Sequence, residues 1–274
     1  MAFVLGPAAC AAGFGLAAFD AIGSTNAEGL ARARAGERGP LWLVTAHQFA
    51  GHGRRGRRWE GPPGNLAATV LRTLAVSPSV AATLGFVAGL ALADALEAVG
   101  AKADVILDGG GQGVRRFALK WPNDVLADGA KLAGILLETV AQPDGSLAIA
   151  VGIGVNVAAA PEGLPYPVTS LARLGLAVDA ETLFLHLTDA WLVRESEWDE
   201  GRGLPATREQ WLARCMGIGQ RVVVRTGDRV TRGILTTLDD EGRLVIEDEQ
   251  GRAIAISAGE VHFGVAATEG EGSA

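Results

Sequence analysis

Residues 51–59 read Gly-His-Gly-Arg-Arg-Gly-Arg-Arg-Trp, four arginines and three glycines in nine positions. Arginine carries a permanent charge on a planar fork that matches carboxylate and phosphate oxygens. Glycine lets the backbone approach a ligand closely and adopt dihedrals that other residues avoid. The chemistry on offer is a pliable loop that closes over a polyanionic small molecule, with Trp59 fixing its far end. A solvated basic loop has the same composition, so the stretch by itself leaves both readings open.

Other stretches add reactive groups: Gly23-Ser24-Thr25-Asn26 upstream, then Lys120-Trp121-Pro122-Asn123-Asp124, Lys131-Leu132-Ala133-Gly134-Ile135-Leu136-Leu137-Glu138 and Val151-Gly152-Ile153-Gly154-Val155-Asn156-Val157 downstream. Lys131 opens an otherwise apolar strand beside Leu132 and Ala133, which suits a charge pointed into a pocket; an exposed strand-end lysine is the plain alternative. Asn123 and Asp124 favour turns whether or not they also meet a ligand. Ser24 or Thr25 suits a helix cap. The glycines at 152 and 154 suit close ligand approach or tight sheet packing.

This ordered set resembles the bacterial biotin protein ligases, from about Ile22 to the C-terminus. Each motif alone is weakly specific; four in this order and spacing are highly specific. The resemblance implies an ATP-dependent ligase that activates biotin as biotinyl-5'-AMP and transfers it to a lysine of a biotin carboxyl carrier protein domain, of acetyl-CoA carboxylase or a related biotin enzyme. Joining a carboxylate to an amine is uphill, and an acyl-adenylate supplies the electrophile. Fixed cations in a site closed to water would stabilise the charge between acid and α-phosphate.

By the same resemblance, Lys131 bridges the biotin carboxylate and the α-phosphate, and Arg54 shares the catalytic role. Ser24, Thr25, Asn26, Gln48, His52 and Gly53 join Arg54 and Lys131 around biotin. Hydroxyl and amide groups suit a ureido ring, which needs both donors and acceptors. Arg54, Arg55, Arg57, Trp59, Lys120, Asn123, Asp124 and Asn156 fall to ATP and the adenylate. Trp59 either borders the adenine or anchors the loop in the core. Asp124 is the residue offered to Mg²⁺, a metal that prefers oxygen ligands and keeps several waters. His52 departs from the family's usual arginine, which predicts a looser hold on the adenylate. Arg58 is expected in solvent, and His47 matches nothing.

Composition sets limits. The chain has 274 residues, 49% of them hydrophobic, enough for a large domain and a small one. A net charge of −7 argues against a general nucleic-acid binder and makes the arginine loop a local positive spot. Cys10 and Cys215 lie far apart, as expected of a reduced cytoplasmic protein. Met1–Leu16 lacks a basic leader, the first Arg being Arg32. No uninterrupted apolar run is long enough for a membrane span, so no membrane is expected.

The elements must position these groups. Helices are expected over 27–35, 80–99 with a stop at Gly100, 180–198 and 206–216. Strands are expected at 41–45, 65–74, 103–107, 117–121, 131–139 and 147–157, with a Gly-rich hairpin tip at 109–113. The predicted class is α+β: a mixed, mainly antiparallel sheet with flanking helices on one side over residues 1–216. Four short strands then suit an SH3-like barrel over 217–265, followed by a disordered tail at 266–274. The Ser-Thr-Asn motif begins at residue 24, leaving no room for the DNA-binding winged helix of some family members; no DNA partner is expected. Family members often form homodimers through sheet edges, and the pattern identifies no such edge. A lipoate–protein ligase or octanoyltransferase of the same fold is the nearest competing reading. A nucleic-acid-binding module is the competitor from another class.

Overall fold

Pro7 opens a five-residue helix, α1 (Pro7–Ala11), and β1 (Gly15–Phe19) follows it. The computed structural model describes residues 2–59, 61–102 and 116–263. Ser24 is extended, and its hydroxyl accepts from Ala27 N at 3.3 Å, so Ser24 rather than Thr25 caps α2 (Thr25–Arg34). Then come β2 (Leu41–Thr45), β3 (Leu66–Leu74), α3 (Pro78–Ala82), α4 (Leu84–Lys102), β4 (Phe117–Lys120), β5 (Asp124–Ala127), β6 (Ala130–Ala141) and β7 (Leu147–Val155). The helices α5 (Ala180–Trp198) and α6 (Leu204–Leu212) precede five strands, β8 (Arg221–Thr226), β9 (Arg229–Leu238), β10 (Leu244–Glu247), β11 (Ala253–Ile256) and β12 (Glu260–Phe263).

Seven strands pair in the order β1-β2-β3-β7-β6-β5-β4, with β1–β2 parallel and every other pair antiparallel. The mixed, mainly antiparallel expectation holds. Helices, however, cover both faces. Leu41, Leu43, Leu71 and Ala148 pack with Ala33 of α2, whereas Trp42, Val44, Val70 and Val151 pack in the cluster that holds α4 and α5. All five residues of β2 are buried, and a strand apolar on both sides needs cover on both sides. Trp42 is the hub of the larger layer, edge-on to Phe184 and Trp191 at 5.6 and 5.9 Å.

The N-terminal residues are docked rather than loose: Gly6 N donates to Thr188 Oγ1 and Ala9 N to Asp189 Oδ1, both on α5. The expected helix from residue 80 is two helices, broken at Thr83, and it runs past Gly100 to Lys102. Segment 78–100 has the length and hydropathy of a membrane span, contrary to the expectation that nothing in the chain does. Its apolarity serves the core, since 72% of its 18-residue apolar window is buried.

Asp124, which favours turns, instead begins β5, a strand absent from the sequence expectations, which pairs Asp124 with Lys120 and Val125 with Ala133. The second sheet has five strands, not four, ordered β11-β10-β9-β8-β12. The expected strand at 103–107, the glycine-rich tip at 109–113 and the 266–274 tail lie outside the described residues. At the β4 edge of the large sheet, Leu119 N donates to Arg214 O and Met216 N to Leu119 O. At β1, no strand among the described residues pairs on the side away from β2.

Candidate active site

Lys131 owes its direction to a bulge. β5 and β6 pair Val125 with Ala133 but Leu126 with Lys131, so Leu132 is the extra residue. Simple alternation would set Lys131 on the face of Ala133 and Ile135, under α4. The bulge re-phases the strand. Leu132 and Ala133 are both fully buried in the core, while Lys131 turns to the face of Gly134 and lines a cavity of about 510 Å³. A neighbouring segment clamps it: Lys131 N donates to Pro167 O, and Thr169 N donates to Lys131 O, both at 2.9 Å.

The arginine loop forms another wall. Trp59 lays its indole against Gly134 and Gly154, which are register partners on β6 and β7, with the Lys131 ammonium 5.6 Å from the ring. Only residues without a Cβ let the ring sit so close. Trp59 therefore anchors the loop on the sheet, and Gly154 serves that packing. Arg55 takes the left-handed conformation (φ 59°), uncommon for a residue with a side chain. Arg54 Nη1 donates to Asn123 Oδ1 at 3.3 Å. Arg55 lies 3.6 Å from Glu260, and Arg57 is in direct contact with the same carboxylate.

Six cations line the cavity (Arg54, Arg55, Arg57, Arg58, Lys120, Lys131) against two carboxylates, Asp124 and Glu260. Asp124 Oδ1 sits 2.8 Å from Lys131 Nζ. Burial lowers the pKa of the Arg54 guanidinium, and repulsion from Arg55 adds to it against the pull of Asp124 and Glu260. Burial also lowers Lys120, opposed by Asp124 and reinforced by Lys131; its ammonium faces the Phe263 ring at 5.6 Å. Cations short of counter-charge in a partly dehydrated pocket are poised for an anion.

At the other end lies an uncharged polar subsite. Gln48 Oε1 accepts from Thr25 N at 2.9 Å and lies 3.2 Å from Thr25 Oγ1. Thr69 Oγ1 contacts Thr25 Oγ1 at 2.8 Å and Asn26 Oδ1 at 2.7 Å. Asn26 Nδ2 donates to Leu136 O and to Glu138 Oε2, at 3.3 and 2.9 Å. Gly152 leaves room for the Asn26 amide. Ser24, Thr25, Asn26, Gln48, His52 and Gly53 all line this end of the same cavity. Long, charged and uncharged ends in one cavity suit a ligand with a polar head, an apolar body and an acidic tail.

A model described as the biotin/lipoate A/B protein ligase family matches residues 24–156, and one described as the biotin protein ligase C terminal domain matches 217–264. The biotin–acetyl-CoA-carboxylase ligase of Paracoccus denitrificans is 42% identical over 248 residues, 88% of this chain and 97% of that protein. The chain belongs to the biotin protein ligase family. Its counterpart of the same name from Mycobacterium tuberculosis is 37% identical, over 87% of this chain and 85% of the relative. The fold matches a structure titled biotin protein ligase from Aquifex aeolicus in complex with biotin and ATP, with a TM-score of 0.71 at 23% identity over 91% of this chain and 99% of that one.

As a member of the biotin protein ligase family, the chain departs from expectation at Asn156. That side chain was expected at the nucleotide, but it does not line the cavity: it is buried, and Nδ2 donates to Thr169 O at 3.1 Å. Asn156 N also donates to Leu132 O, and Leu171 N to Asn156 O. Asn156 thus holds the 167–171 segment that clamps Lys131, a positioning role. Sequence reasoning missed Glu260, Phe263, Thr69, Glu138 and Tyr166, whose ring lies 5.9 Å from the Lys131 ammonium. Glu260 and Phe263 reach the cavity from a strand that gave no local signal. Thr69 was visible only as a polar residue inside an apolar strand.

Proposed function

We propose that the chain is an ATP-dependent ligase that joins biotin to a lysine of a carrier protein domain. The observation that carries this reading is one cavity with a surplus of cations at one end and the uncharged Ser24–Gln48 subsite at the other. Biotin's ureido ring sits against Ser24, Thr25, Gln48 and the loop residues His52 and Gly53. Its carboxylate points toward Lys131 and Arg54, where the α-phosphate of ATP also lies.

The carboxylate oxygen attacks the α-phosphorus, and the bond to the β-phosphate breaks, releasing pyrophosphate. Lys131 and Arg54 neutralise the oxygens that approach each other, which are otherwise repulsive. Asp124 holds the Lys131 ammonium in place until the anions arrive. Lys120 and the loop arginines Arg55 and Arg57 meet the remaining phosphates. Mg²⁺ fits a site with one inner carboxylate and a triphosphate, since it takes few protein ligands. Asp124 and the Asn123 amide oxygen would hold it, and it would neutralise phosphate charge. In the second step the carrier's lysine amine attacks the adenylate carbonyl and AMP leaves.

The C-terminal sheet contributes a cavity wall through β12, and Glu260 pairs with the loop arginines. The carrier is a biotin carboxyl carrier domain of acetyl-CoA carboxylase or a related enzyme. For a homodimer we assign the β1 edge, and light scattering with biotin and ATP checks it. A cytoplasmic setting suits two cysteines that are both free.

The test is incubation with Mg-ATP and a carrier domain, with biotin in one arm and lipoate in the other, followed by mass measurement of the carrier. Addition of one biotinyl group and no lipoyl group is the expected result; lipoyl addition alone would refute the reading. Lys131→Ala should lower turnover about 10²–10³-fold, the scale of one lost charge-stabilising donor, with an unchanged unfolding midpoint.

A further inference from the structure

The Glu138 carboxylate is used by both ends of the ligand-holding machinery. It stands on β6 opposite Ala150, and its side chain is one-third exposed. Oε2 accepts from Asn26 Nδ2 at 2.9 Å, and Oε1 lies 3.4 Å from His52 Nε2 on the arginine loop. Glu138 does not line the cavity itself; it stands behind Asn26 and His52, which do.

An ionised carboxylate only accepts hydrogen bonds. It therefore forces the NH₂ end of the Asn26 amide toward itself and the Oδ1 end toward Thr69. Asn26 Oδ1 can only accept, so the Thr69 hydroxyl commits its proton there. The Thr25 hydroxyl then donates to Thr69 Oγ1, while Gln48 Oε1 is held separately by Thr25 N. The polarity of Asn26, Thr69 and Thr25 is set from Glu138.

We propose that Glu138 is a positioning residue that orients the ring-binding network through one carboxylate oxygen and tethers the arginine loop through the other. This rests on the biotin reading above. The two contacts differ in quality and separate in experiment. The 2.9 Å bond is short and charge-assisted, whereas 3.4 Å is at the weak end of hydrogen-bond range.

Biotin affinity measured by calorimetry, without ATP, reads the first contact. Glu138→Ala should weaken biotin binding about tenfold, the factor for about 1.4 kcal/mol. Glu138→Gln keeps an acceptor for Asn26 and should recover most of that loss. The rate of biotinyl-adenylate release reads the second contact. Glu138→Ala should speed release about threefold more in the parent than in a His52→Ala background, where only the effect through Asn26 remains. The KM for ATP should stay within twofold throughout. The proposal is overturned by unchanged biotin affinity in Glu138→Ala, by a loss that Glu138→Gln does not recover, or by equal loss for biotin and ATP. Parent protein that binds no biotin would instead sink the functional reading itself.

Discussion

Gly154→Ala tests how the loop is seated. An added Cβ at Gly154 would lie 2.7 Å from Trp59 Cε2 and Nε1 and 3.0 Å from Cζ2. Carbon contacts are comfortable from about 3.5 Å, so the indole must withdraw by about 1 Å. The ring is rigid and cannot fold aside. Trp59 N donates to Gly51 O, so the retreat is passed to the loop that carries Arg54, Arg55 and Arg57. The strand pairs Gly154↔Ala67 and Gly154↔Gly134 survive the change. Overpacking of this kind costs about 1–3 kcal/mol. Because the loop can move and the sheet need not, the cost should appear as lost ligand closure rather than lost fold.

Pyrophosphate exchange should therefore fall in kcat/KM by about 5–150-fold, with a urea midpoint close to that of the parent. Gly134→Ala, whose Cβ would lie 3.1 Å from one ring atom, should lose less. In a Trp59→Ala background, Gly154→Ala should cost nothing further. A penalty of equal size with and without Trp59 would refute the seating and assign the glycine to direct ligand approach.

His52→Arg places a permanent charge opposite Glu138 and should slow adenylate release by up to about fivefold, the upper value of an exposed pair; equal rates would remove His52 as a cause of leakage. Burial pushes the Cys215 thiol up to about 12, whereas Cys10 is exposed. A thiol reagent at neutral pH should thus label one cysteine in the native protein and two in denaturant, and two fast-reacting thiols in the native state would contradict that burial. Burial, with repulsion from Lys120, lowers His262 below its ordinary 6.5. The unfolded chain then binds the proton more readily, so stability is lost as pH falls below about 6.5. His262→Gln should reduce the acid-induced drop in urea midpoint relative to the parent, and an identical drop would rule out His262 as its source.

Much of the site was legible because its signals are local. A helix cap at Ser24 or Thr25 and a strand at 41–45 follow from neighbouring residues, and both appear, the cap at Ser24. The loop composition allowed an anion site but equally a solvated basic loop, and only the flanking motifs favoured the first. β1, β5 and β12 were missed for a common reason. Each is four or five residues long and abuts turn-forming residues, so no local pattern sets it apart, whereas β2, equally short, is an unbroken buried apolar run. The resemblance assigns Asn156 to the nucleotide, yet its side chain closes a loop thirteen residues on.

The sequence by itself determined the cations, the flexible loop that carries most of them and the amphipathic segments able to bury a core. Only the tertiary structure decided which way they face. The bulge at Leu132, set where β5 pairs with β6, turns Lys131 from the core side into the cavity. Glu260 arrives from a separate sheet, and Glu138 meets His52 across 86 residues of chain. Such contacts depend on strand register and sheet order, which are fixed by the burial of whole faces at once and leave no mark in the residues adjacent to them.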